Sequence, residues 1–168
     1  MVADQMVHRP AGTLPEKINS PNDLKAMYRL FDCDDVTHSV ILEAHQKHLF
    51  TSVLPARSGY TLVIHDATEL EYTKHESLGD LGQIGSGYRR GYIAHHSLAV
   101  CPETGATLGL ANQILHVRPK VGKQEGRTER QRRKSRESLL WLKGTKPLPS
   151  DRNIVDVCDR GADNFEFI

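Results

Sequence analysis

No apolar run in this chain approaches the roughly 20 residues that a membrane-crossing helix needs. The first ten residues, MVADQMVHRP, hold no apolar core of signal-peptide type. Neither sign of charge prevails: 22 Lys and Arg stand against 21 Asp and Glu, which excludes a globally basic nucleic-acid binder but leaves room for local asymmetry. Cysteine is scarce. Cys33, Cys101 and Cys158 are odd in number, far apart and without a CxxC pair, which fits reduced thiols in a cytoplasm and offers no motif for zinc or redox work. The one tryptophan, Trp141, sits among Leu139, Leu140 and Leu142, so core packing accounts for it better than base stacking. Gly79, Gly82, Gly85 and Gly87 precede neither GK[ST] nor a helix start, and therefore mark a connection, not a nucleotide-binding loop.

What is present, 168 residues with 38% apolar and 26% charged, describes one globular domain with a small appendage. Residues 1–19 read as a polar lead-in. Ser20 followed by Pro21 is a helix start, and Leu24, Met27, Tyr28 and Phe31 follow at helical spacing up to the acidic break DCDD. A second helix spans about Thr37 to Val53, with Leu42, Leu49 and Val53 on one side. Residues 1–55 thus form a small helical unit, separated by Pro55 to Gly59 from a strand-rich region, 60–168. That region opens with a strand from Tyr60 to Asp66. After the glycine-rich connection, HHSLAVCPETGATLGLANQILHV reads as a hairpin turning at PETG. A charged helix covers about Thr128 to Lys143, with Gly144 in the C-terminal cap position. A fourth strand covers Asn153 to Cys158.

The order strand, strand, strand, helix, strand implies an α/β fold. The helix is long enough for a crossover that returns the fourth strand parallel to a neighbour in the sheet. If that neighbour is the first strand, Asp66 in VIHDATELEY and Asp159 in IVDVCDRGAD come together, as in a ribonuclease-H-like sheet. Two close carboxylates repel each other unless a cation lies between them. Magnesium suits such a pair, since it takes one or two protein carboxylates and fills its other positions with water and phosphate. Two such ions support phosphodiester cleavage. The competing reading is that strand-end aspartates only cap turns.

The blocks LKAMYRLFDCDDVTHSVILEAHQKH, VIHDATELEY, RRGYIAHHSLAV, TGATLGL, RESLLWLKG and VCDRGAD, in this order, resemble bacterial DDE transposases of the insertion-sequence-four family, transposon-five type. The resemblance runs from about Asp23 to the last residue. It implies an incomplete ribonuclease-H-like mixed sheet behind a partial helical DNA-binding region. It also implies Asp66 and Asp159 as catalytic residues holding Mg2+ or Mn2+, and transposon-end DNA as partner. Intact relatives work as homodimers in a bacterial cytoplasm, associated with the nucleoid. The family's third ligand, a glutamate in a tyrosine-arginine-glutamate block on a later helix, has no counterpart here. The resemblance therefore implies a fragment, inactive alone and without the dimer contacts. The alternatives are a DNA-binding remnant that interferes with a full-length transposase, or a different ribonuclease-H-like nuclease.

The segment Arg118 to Arg136 holds nine Lys or Arg and two Glu. Either it is a solvated face, or Arg130, Arg132, Arg133 and Lys134 contact DNA phosphates, whose charge dominates such affinities. Arg89 and Arg90 are similar candidates. The nine histidines do not compose a zinc site: His95 and His96, adjacent on a strand, point to opposite faces, and His45 falls on the apolar stripe of its helix. His65 faces away from Asp66 and reads as structural. Asp156 is the misfit, a carboxylate inside a strand expected to be apolar throughout.

Overall fold

The computed structural model of the chain describes residues 2–9, 11–56, 58–120, 125–151 and 153–163. It divides into two compact units, 1–43 and 44–168. The division falls inside a helix and not at 55–60, because Leu49 and Leu54, beyond the helix, are buried with strand residues Val63, Ala99 and Ala111.

In the first unit, the expected lead-in contains two short helices, α1 (Val2–His8) and α2 (Leu14–Lys17). Glu16 starts α2 by turning its carboxylate back onto the Thr13 backbone N–H, 2.6 Å, and the Thr13 hydroxyl, 2.9 Å. α3 (Pro21–Phe31) begins as the sequence implies, with Ser20 Oγ accepting from the Asp23 N–H and Pro21 in the first turn. Its apolar stripe is not fully buried: Leu24 and Met27 are half-buried, Tyr28 and Phe31 exposed. α4 (His38–His48) opens on Thr37, whose hydroxyl accepts from the Val40 N–H, and runs on through a π turn at Leu49–Val53.

The second unit is an α/β structure built on an open mixed sheet of five strands: β1 (Thr61–Glu71), β2 (Gly82–Gln83), β3 (Arg90–Val100), β4 (Thr107–His116) and β5 (Ile154–Val157). β3 lies between β1 and β4, antiparallel to both, with β2 paired to the start of β3. β5 lies on the free side of β1, parallel to it. The β3–β4 hairpin turns where PETG implied, with Gly105 at φ +69. β4 bulges near Ala111. The last turn of α4 serves the bulge, His45 Nε2 accepting from the Leu110 N–H at 2.9 Å and the Gln46 amide donating to the Ala111 carbonyl at 2.8 Å. His45 is thus an exposed backbone clamp, where its sequence position implied packing.

The crossover from β4 to β5 departs from the single helix expected over 128–143. It holds α5 (Arg127–Arg132) and α6 (Leu139–Thr145), with Leu140 and Trp141 buried against the sheet. Gly144 is not the cap but an interior residue of α6. A Cβ there would stand 2.8 Å from His95 Nε2 and 3.1 Å from both His65 Nδ1 and Ser97 Oγ, so only glycine lets the helix backbone settle on these side chains.

Candidate functional site

β1 does not end at Asp66. It continues to Glu71 because β3 pairs with it along its whole length, so Asp66 stands mid-strand, opposite His96. Alternation along β1 buries Thr61, Val63 and His65 on the face covered by α6 and turns Ile64 and Asp66 to the other, more open face. The parallel register pairs Ile64 with Val157. Counting two residues on along each chain reaches Asp66, still within β1, and Asp159, two residues past the end of β5. Both aspartates are exposed. Asp66 Oδ1 accepts from the Ala67 N–H at 2.8 Å. Asp159 Oδ1 accepts from the Gly161 N–H at 2.7 Å, heading the 3-10 turn Arg160–Ala162. Asp159 therefore does cap a turn, while each residue keeps a second carboxylate oxygen. Two such hard-oxygen donors, if brought together, are the kind of ligand a magnesium or manganese ion takes while keeping most of its water.

Among the described residues nothing adjacent completes a larger ligand set. Among the described residues, no group of three or more His, Cys, Asp or Glu side chains could hold a metal ion. Glu69 lies on the opposite face of β1 from Asp66, with Oε1 accepting from the Gly85 N–H at 2.7 Å. No family model matches the chain, and no curated protein is significantly similar to it.

Behind the aspartates, on the covered face, lies a network that the sequence did not announce. His65 Nε2 is 2.8 Å from Asp156 Oδ1, and His65 Nδ1 is 2.9 Å from Ser97 Oγ. With Nε2–H donating to the carboxylate, Nδ1 is left to accept from the Ser97 hydroxyl. Asp156 is thus no misfit in β5 but the partner of a histidine 91 residues earlier. The trio resembles a nucleophilic triad in composition only. Ser97 is wholly buried and His65 is 2% exposed, so no substrate reaches the hydroxyl. His95 stacks beside His65 and meets Trp141 edge-on, with ring centroids 5.8 and 4.7 Å away. Both its ring nitrogens are buried without a hydrogen-bond partner among the described residues. Burial, then the neighbouring His65 and His96, push its pKa down to about 4, so the ring is neutral at pH 7. His96, as expected, points the other way, toward the Asp66 face, where its Nδ1 accepts from the Gln113 amide at 3.1 Å.

The cationic candidates divide. Arg89 is committed to Glu71, 2.7 Å away, and Arg133 to Glu125, 3.0 Å away. Arg118 grips Glu137 through two bonds, and this guanidinium holds the Glu137 carboxyl below its usual range. Arg90, Arg132 and Lys134 are exposed, with no side-chain bond or ion pair among the described residues. The Arg130 side chain lies outside the described residues.

Proposed function

We propose that this chain is part of a DDE transposase of the insertion-sequence-four type, and that Asp66 and Asp159 hold a divalent ion, Mg2+ or Mn2+, against a DNA phosphodiester. One observation carries the proposal. β5 runs parallel to β1 with Ile64 opposite Val157, and that register, continued past the end of β5, would bring the two aspartates level. The order β4-β3-β1-β5, three antiparallel strands and a fourth parallel to the first, supports a ribonuclease-H-like reading of the sheet.

An ion held by Asp66 and Asp159 would supply Lewis-acid chemistry to the phosphodiester, one ion serving the attacking oxygen and a second the leaving one. The chain itself supplies a rigid platform: Asp66 in the centre of an eleven-residue strand, and Asp159 fixed by its own turn. Of the candidate cations, Arg90, Arg132 and Lys134 are open to DNA phosphates. With two carboxylates and no third ligand among the described residues, the reading is of a chain that binds metal weakly and does not join DNA ends alone. The same observation favours the second reading, a DNA-binding remnant or inhibitor of a full-length transposase.

The deciding experiment titrates Mn2+ into the chain and into its Asp66→Asn and Asp159→Asn forms. Weak binding lost in both variants is expected; undiminished binding in both rules out the two-aspartate site. A pre-cleaved labelled DNA end with Mn2+ should show no joining, since each missing electrostatic group is worth about 10²–10³-fold in rate. Joining abolished by Asp66→Ala would instead mean that another acidic residue, such as Asp163, completes the site.

A further inference from the structure

We propose that His65 and Asp156 are positioning residues for the two-aspartate site, an inference that rests on the reading above. Their bond, on the covered face of the sheet, fixes the seat of β5 on β1 and so the separation of Asp66 and Asp159.

β5 needs such a fastening. It has four residues, lies at the edge of the sheet, and turns Val155 and Val157 outward at 43% and 39% exposure, so packing defines its place weakly. A slip of one residue would turn Asp159 to the wrong face, and a slip of two would restore the face but separate the aspartates by roughly 7 Å along the strand. Among the described residues, Asp156 makes the one side-chain hydrogen bond that leaves β5. Its donor is anchored, because His65 is held from the far side by Ser97 and enclosed beneath α6 by His95 and Gly144. Two carboxylates on neighbouring strands also repel each other while no cation is bound. A bond that seats β5 on β1 would hold such a pair in place against that repulsion.

Asp156 can be tested without confusing position with charge. Asn at 156 keeps an acceptor for His65 Nε2–H and removes the charge, whereas Ala removes both. Mn2+ affinity should fall about tenfold in Asp156→Ala, the lower end of what groups orienting metal ligands are worth. It should stay within about threefold of the parent in Asp156→Asn, within the scatter expected when a hydrogen bond is kept. Amide exchange at Val155 and Val157, measured without metal, should quicken in the Ala form and return toward the parent in the Asn form. Equal loss of affinity in both forms would show that only charge matters and overturn the proposal. So would unchanged affinity and exchange in Asp156→Ala while Asp66→Asn and Asp159→Asn abolish binding. If those two variants bind as the parent does, the metal site itself is wrong, and the exchange rates alone then decide whether the bond seats β5. Should Asp156→Ala not fold, His65→Leu, which has no donor for Asp156 and is read by the same two measurements, replaces it with the same expectations.

Discussion

Ser97 on β3 and Asp156 on β5 never touch, yet each bonds to one nitrogen of the same imidazole, His65 on the strand between them. A single buried ring thereby ties three strands together under α6. Removing the Ser97 hydroxyl would leave His65 Nδ1 buried without a donor. Ser97→Ala should therefore lower stability by about 1–3 kcal/mol, the cost of an unsatisfied buried polar group. Urea unfolding would register this as a lower midpoint at unchanged slope, and a loss under about 0.5 kcal/mol would mean the network does not hold the sheet.

Gly144 offers an independent check on how closely α6 approaches. An added methyl would stand 2.8 Å from His95 Nε2, inside any real contact distance. Alanine normally favours a helix over glycine by about 1 kcal/mol. Here the sign should reverse, with Gly144→Ala losing about 1–3 kcal/mol through overpacking. Thermal unfolding of the variant would settle the sign, and a gain in stability would contradict the close approach.

His95 should make the fold acid-sensitive. Its pKa falls from the ordinary 6.5 to about 4 on folding, so the unfolded chain takes up the proton first. The stability is whole above about pH 6.5 and drains away as pH falls toward 4, at up to about 1.4 kcal/mol per pH unit. His116, also pushed down by burial, acts in the same direction. Between pH 7 and 5, His95→Leu should show a shallower decline in stability than the parent. Parallel curves would mean that His95 meets water in the native state.

DNA binding, if present, should depend on the cations that ion pairs leave open. Replacing both Arg132 and Lys134 with Gln should reduce the dependence of log affinity on log salt by about 2, roughly one per phosphate contact. Arg89→Gln should change it little, because Glu71 already holds that guanidinium. Equal effects from all three would show that Glu71 releases Arg89 to DNA.

Local chemistry was legible in the sequence wherever a short stretch dictates its own conformation. Ser20 and Pro21 start α3, PETG turns the β3–β4 hairpin, and alternation along β1 sets His65 and Asp66 on opposite faces. Each of these depends on neighbours within a few residues. The strand end expected at Asp66 was wrong because strand length is decided by the partner, and β3 pairs with β1 as far as Glu71. The single crossover helix was wrong too: docking on the sheet buries Leu140, Trp141 and Gly144 in a short α6 of its own. Asp156 looked like an error in an apolar strand because its meaning lies in His65, and only the tertiary fold brings together residues 91 positions apart. The same holds for Gly144, whose missing side chain matters for what α6 rests upon rather than for how a helix ends. Periodicity reports which face a side chain takes, whereas the partner that a buried polar group finds on that face is a long-range property of the packed sheet.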